Sequence, residues 1–341
     1  MKQAIMTAPG RISITTAVKP APGPGEVLLH IRRIGICGSD VHVWHGRHPF
    51  TSYPVVQGHE FSATVAALGA GVRGITVGAR ATALPQVTCA ACPACRRGDY
   101  HICDDLKVQG FQAPGVAQDL FVTRAEQVVP LPDEFTFEQG AFVEPCAVAV
   151  HATSRAGALA DRNVVVIGAG TIGALVSQAA RARGAHVMTA DLSAHRLEIV
   201  RQCGVAHTWN PSAEPLEAAA QRAFGAAGFD AAFECAGAEQ PLNELLRLMR
   251  KGGTIVQVGL YGSVPRANLS LVAEHELTIT GSLMYRKPDY EQAVAWIAAG
   301  RLAVTPLESR HFPFAQYEEA YRFIEREGER CLKVFVDVND T

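Results

Sequence analysis

The feature that most constrains this chain is a fully apolar run at residues 164–167 that ends directly on Gly168-Ala169-Gly170-Thr171-Ile172-Gly173. The residues that follow, 172–183, read as a helix, so the glycines mark a sharp strand-to-helix turn. Gly168 permits the tight turn, and Gly170 lets the backbone approach a pyrophosphate. Gly173 allows close packing of helix on strand, and the helix N-terminus, where Ile172 lies, is a ready anion site. Apolar strands recur at 185–190, 229–233, 254–258 and 277–280, with amphipathic segments at 194–202 and 240–250 between them. Strand and helix alternating in this way mean a parallel, doubly wound sheet.

Asp191 closes the second of these strands, 23 residues beyond Gly168. A carboxylate there accepts hydrogen bonds from ribose hydroxyls and repels a 2′-phosphate, which favours NAD over NADP. Arg196 is close enough in sequence to stack on an adenine. Val258 and Gly259, where the strand 254–258 ends, are counted with the expected cofactor contacts.

The first 150 residues differ in character. They are rich in Gly and Pro and broken into short apolar runs, at 27–34, 55–56, 62–68, 80–84 and 119–123. That pattern suggests a β-rich, barrel-like domain with long functional loops. The tail is mixed, with a helix at 289–299 and short strands near 307–312 and 333–338. With 341 residues, 48% hydrophobic and 19% charged, two domains are expected. A net charge of -2 gives no reason to expect nucleic acid or an anionic membrane as partner. The N-terminus does not read as a signal peptide and no stretch reaches 18 apolar residues, so a cytoplasmic protein is expected.

Of nine cysteines, four fall within fifteen residues as Cys89-x2-Cys92-x2-Cys95-x7-Cys103. Arg96, Arg97, Asp99 and His101 lie among them and mark an exposed loop, which argues against buried free thiols. Four thiolates on a short loop form the closed shell of a structural zinc. An iron–sulfur cluster also uses four cysteines, but nothing else in the chain suggests electron transfer. A second constellation joins Cys37, Ser39, Asp40 and His42 to Gly58-His59-Glu60. Catalytic zinc needs few protein ligands and one open position, and Cys37, His59 and a carboxylate from Glu60 or Glu144 supply them.

Taken together, Cys37-Gly38-Ser39-Asp40-Val41-His42, Gly58-His59-Glu60, the four-cysteine lobe, Val143-Glu144-Pro145, Val150-His151-Ala152 and the glycine loop stand in one order. The set resembles the zinc-dependent medium-chain dehydrogenase/reductase superfamily, and within it the polyol, threonine and sugar-acid dehydrogenases. The resemblance implies an α/β protein. A GroES-like β-barrel catalytic domain would span 1–150, completed by 287–341, with a Rossmann coenzyme domain of doubly wound parallel sheet at 151–286.

It also implies two zinc ions per chain, NAD as coenzyme, and a homotetramer or homodimer. Cys37, His59 and Glu60 match the catalytic zinc ligands, and Glu144 a position that binds zinc directly or through its water. Asp40 would orient the His59 imidazole, and Ser39 and His42 would relay the substrate proton. The sequence departs from the pattern at Ala63, where a glycine is usual, and at Gly78-Ala79-Arg80, which lacks the usual central acid. The expected reaction oxidises a secondary alcohol of a small polyhydroxylated substrate to a ketone. Two basic pairs, Arg47-His48 and Arg286-Lys287, either hold a carboxylate or phosphate, pointing to a hexonate, or are solvated loop charges. Threonine and 2,3-butanediol are alternative substrates. A non-catalytic zinc and dinucleotide sensor would need neither the open metal site nor the relay pair.

Overall fold

Val164, Val165 and Val166 are each 0% exposed, because the strand that carries them, Asn163–Ile167, has a neighbour on either edge and is covered on both faces. A computed structural model of the protein describes residues 1–339. In it the chain forms two compact units. One comprises Met1–Glu144, Arg286–Ala298 and the chain from Glu308, and the other Pro145–Tyr285 with Ala299–Leu307.

The second unit is built on six parallel strands. Their spatial order is His207–Trp209, His186–Ala190, Asn163–Ile167, Ala231–Glu234, Thr254–Gln257 and Thr278–Gly281. The chain runs outward from Asn163–Ile167 to one edge and then from its other side to the opposite edge, which is the doubly wound order. Helices Thr171–Ala182, Ala194–Gln202, Leu216–Phe224 and Glu239–Leu248 occupy the connections. Val165, Met188, Phe229, Leu245, Leu246 and Ile255 form part of its buried core.

The first unit carries a seven-stranded mixed sheet. Along it run Glu308–Pro313, Lys333–Asp337, Glu26–Gly35, Glu60–Leu68, Arg80–Ala83 and Val128–Pro130, with Leu120–Arg124 also paired to Glu26–Gly35. Strand Glu26–Gly35 is the spine: Val27, Leu29 and Ile31 are each 0% exposed and alternate with half-buried residues, so one face meets the core. Ala63 is buried in Glu60–Leu68 and pairs with Ala81, so a methyl group is accepted where a glycine is usual. Arg80 bonds the Phe135 carbonyl and covers the Phe137 ring, anchoring its turn without the missing acid.

Four features of the fold depart from the sequence pattern. A hairpin of Lys2–Ala8 and Arg11–Thr16 opens the chain, and residues 55–56 are no strand, Val55 making only an isolated bridge to Met6. Helix Phe137–Ser154 contains Pro145, a residue that normally argues against a helix interior. Its apolar residues face all ways because most positions are buried, so it has no amphipathic stripe to read. Helix Tyr317–Glu327 lies in the tail between strands Glu308–Pro313 and Lys333–Asp337.

Candidate metal centre and dinucleotide loop

The first unit brings three different donors together. Cys37 caps the N-terminus of helix Gly38–Trp44, His59 precedes strand Glu60–Leu68, and Glu60 opens it. Strand Glu26–Gly35 lies beside that strand in register Gly35 to Glu60, which sets Cys37 next to His59 and Glu60. One donor atom from each of the three lies within 4.8 Å of the others. His59 and Glu60 are buried, at 5% and 1% exposure, and Cys37 is half-buried, so the group opens on one side. Thiol, imidazole and carboxylate are a donor set that zinc accepts with a position to spare.

The electrostatics agree with a cation in this place. Burial alone presses the His59 pKa down, yet Asp40, Cys37 and Glu144 together carry it well above the usual imidazole value. The surrounding charges therefore favour positive charge at the imidazole, and a dication meets the same demand. Nδ1 of His59 is buried, lies 3.6 Å from Asp40 Oδ1 and has no hydrogen-bond partner. That nitrogen faces the carboxylate, so the other ring nitrogen is the one available to a metal.

Asp40 is itself held. Its Oδ2 accepts from the Cys37 backbone N–H at 2.9 Å, and Gln57 Nε2 donates to Oδ1 at 3.3 Å. The Tyr321 hydroxyl in turn donates to Gln57 Oε1 at 2.7 Å, and its ring stacks on Trp44. Helix Tyr317–Glu327 thus supports, through two side chains, the carboxylate behind His59. Lys333 reaches the opposite side, its Nζ 2.5 Å from Glu60 Oε2. Burial works against the Lys333 charge, but Glu60 and Cys37 outweigh it and raise its pKa.

Glu144 is buried on helix Phe137–Ser154 and adds negative charge toward both His59 and Lys333, but it is not among the three donors gathered within 4.8 Å. Ser39 is half-buried and His42 exposed, three residues apart on helix Gly38–Trp44. His48 stacks on Phe111 with ring centroids 4.7 Å apart, and Phe111 lies 5.0 Å from His59, so His48 borders the centre. Burial, then His42 and His59, lower its pKa. Arg47 is exposed. The other basic pair turns elsewhere: Arg286 Nη1 lies 3.7 Å from Asp99 Oδ1, and Lys287 Nζ bonds the Glu126 carbonyl. Arg286 leans on the cysteine-rich lobe, and the Lys287 ammonium on the turn Ala125–Gln127.

In that lobe Cys89, Cys92, Cys95 and Cys103 form a second group with sulfur atoms within 4.8 Å of one another. Backbone N–H groups of Ala91, Cys92 and Cys95 donate to Cys89 and Cys92 sulfurs, a loop geometry that stabilises thiolates. Backbone donors at Asp104 and Cys95 pull the Cys92 pKa to about 6, while burial and the neighbouring thiols push Cys95 up to about 12. Four sulfurs in one closed group fit a structural zinc.

The glycine loop of the second unit has the geometry its spacing implies. Gly168 has φ +91°, which favours glycine, and a Cβ on Gly173 would sit 1.7 Å from the Gly168 carbonyl oxygen. Nothing lies within 4 Å of a Cβ built on Gly170, the cap of helix Thr171–Ala182, so the backbone there is open to a ligand. Ile172 follows in the first turn of that helix. Asp191 Oδ2 accepts from the Ala169 N–H at 2.7 Å and its Oδ1 from Ser193 N–H, and Arg196 lies 3.9 Å away. Val258 and Gly259 both donate to the Glu234 carbonyl. Glu234, 0% exposed, accepts from Ala236, Gly237 and Gln257, and so ties together the loops after two neighbouring strands.

Fold and site define a zinc-dependent dehydrogenase that uses a nicotinamide dinucleotide. Comparison with known proteins agrees: residues 23–133 match the alcohol dehydrogenase GroES-like domain and 171–299 the zinc-binding dehydrogenase family. The 2-dehydro-3-deoxy-L-galactonate 5-dehydrogenase of Pseudoalteromonas atlantica is 33% identical over 94% of this chain and 93% of its own length. D-xylulose reductase of Saccharomyces cerevisiae is 33% identical over 93% of this chain and 92% of its own. A crystal structure of a short chain alcohol dehydrogenase from Escherichia coli CFT073, complexed with cofactor NADH, has a TM-score of 0.92 at 28% identity, covering 99% of each chain. The chain belongs to the zinc-dependent medium-chain dehydrogenases of the polyol and sugar-acid type. Among the described residues no helix is long and apolar enough to cross a membrane.

Proposed function

We propose that the protein oxidises a secondary alcohol of a small polyol or sugar acid to a ketone, with NAD as hydride acceptor. The observation that carries this reading is the Cys37–His59–Glu60 group, three unlike donors open on one side, in a chain that also holds a glycine loop whose Ala169 N–H donates to Asp191. When bound there, a zinc ion supplies Lewis-acid polarisation of the substrate hydroxyl. The chain's own residues do the rest. Asp40 sets the ring of His59, Glu144 adds buried negative charge, and Ser39 with the exposed His42 leads a proton from the site to water. Asp191 accepts from the ribose hydroxyls of NAD.

Relatives that act on a deoxygalactonate and on xylulose support a polyhydroxylated substrate and leave its charge open between an anion and a neutral sugar. We favour an anionic hexonate, received by Arg47 and His48. Arg286 and Lys287 drop out of that role because Asp99 and Glu126 engage them. A cytoplasmic homotetramer completes the reading. Turnover of hexonates against the matching neutral polyols, with NAD and with NADP, tests it. A clear preference for the polyol removes the anion, a preference for NADP removes the Asp191 role, and light scattering checks the tetramer.

A further inference from the structure

The ion pair of Lys333 and Glu60 is deeply buried, with the two side chains at 3% and 1% exposure. Lys333 opens strand Lys333–Asp337, whose other residues are mostly apolar, and its ammonium makes two contacts. Nζ donates to Glu60 Oε2 at 2.5 Å and to the Ile36 carbonyl at 3.2 Å. Two charges removed from water at this cost persist only where geometry holds them together. The fold makes room for that geometry. A Cβ on Gly35 would lie 2.5 Å from Glu60 Oε2 and 3.4 Å from Lys333 Cδ, so only a glycine leaves the pair its space.

The carboxylate so engaged is one of the three donors of the open metal group. An ammonium and a dication therefore compete for one side chain, and Oε2 is already taken. We propose that Lys333 is a positioning residue: by holding Oε2 it restricts Glu60 to at most one oxygen toward the metal, weakens that ligand, and keeps the fourth position open for substrate. The inference rests on the reading that Cys37, His59 and Glu60 hold the catalytic zinc. Without the ammonium, Glu60 is a buried carboxylate with no counter-cation except the metal, and it closes on the metal as a full ligand.

The experiment uses the full-length protein loaded with zinc, and in parallel with cobalt. Zinc affinity of the open site is measured by competition with a chromophoric chelator, and the cobalt form by its visible absorption bands. Lys333→Leu is expected to bind zinc at least about tenfold more tightly, to shift the cobalt bands, and to lose kcat more than it changes KM. Lys333→Arg, which restores a cation, returns affinity and bands toward wild type. Should the leucine variant not fold, Lys333→Gln keeps a donor without the charge, and the same tightening is expected at reduced size. Zinc affinity that is unchanged or weaker, with unmoved cobalt bands, overturns the proposal. A wild-type chain that holds zinc only in the four-cysteine lobe overturns the underlying reading and this inference with it. Two zinc ions and an indifferent Lys333 overturn the inference alone.

Discussion

The two cysteine-bearing groups of the first unit are built on opposite principles. The lobe draws four like donors from fifteen consecutive residues, and its sulfurs are tied by backbone N–H groups of the same loop. The open group draws three unlike donors from the ends of separate elements, and its supports come from as far away as Tyr321 and Lys333. A closed shell of thiolates satisfies a metal completely and serves the fold, whereas a mixed, incomplete shell leaves the metal a position for chemistry. In the proposed reading cysteine thus takes a structural part in one place and a reactive part in the other. What separates the two is how local the ligand set is and how many donors it has.

The sharpest way to break this contrast is to remove one donor from the open group. Cys37→Ser is expected to lower kcat/KM by about a thousandfold, since a lost Lewis acid forfeits several kcal/mol of transition-state stabilisation at about 1.4 kcal/mol per tenfold. Zinc analysis should fall from two ions per chain to one while the unfolding temperature stays near wild type. Retained turnover in the serine variant with one zinc would remove the open group from the reaction.

Cys92→Ser probes the other side of the contrast. It should cost stability on the order of 3 kcal/mol, as loss of a structural metal does, which lowers the unfolding temperature by roughly 6–12 °C. Turnover per chain that keeps its remaining zinc should stay within about twofold. A folded variant with no activity would show that the lobe also takes part in the chemistry.

A smaller effect is expected from Asp40→Asn, which keeps shape but removes the charge facing His59 Nδ1. Loss of a carboxylate behind a ligating histidine weakens metal binding by about 10–100-fold. Dialysis against a graded chelator series reads this directly: zinc should leave the open group first while the lobe stays loaded. Equal loss from both groups would mean that Asp40 acts on the fold and not on the ligand.

Legibility in the sequence followed the same local-versus-distant divide. The lobe could be read from spacing alone, because all four donors and their backbone partners lie on one loop. Five of the six parallel strands were readable for a similar reason: each is a short apolar run beside a helix, and Asn163–Ile167 shows the unbroken burial of a central strand. The sixth, His207–Trp209, is three residues long with two polar ones and offers no such run. Cys37, His59 and Glu60 were visible as residue types, but their meeting depends on the register of Gly35 with Glu60, which no local pattern states. Lys333 left a faint mark, a single charge opening an apolar strand. Gln57 directly precedes Gly58-His59-Glu60, yet its partner Tyr321 lies 264 residues away, on a helix the tail did not announce. Helix Phe137–Ser154 escaped because Pro145 and all-round burial removed both usual signs of a helix.

The smallest predicted effect tests whether that distant support matters. Tyr321→Phe removes one hydroxyl, the donor to Gln57 Oε1 at 2.7 Å, and leaves the ring stacked on Trp44. A single lost hydrogen bond is worth about 1 kcal/mol, so zinc affinity at the open group should weaken by about fivefold with little change in unfolding temperature. Because Tyr321 acts through Gln57 on Asp40, the change should be far from additive with Asp40→Asn: once the carboxylate is gone, the hydroxyl has little left to support. Full additivity of the two variants would cut the chain from Tyr321 to His59. The open group would then rest on Asp40 and Lys333 alone, and the contrast with the self-contained lobe would narrow.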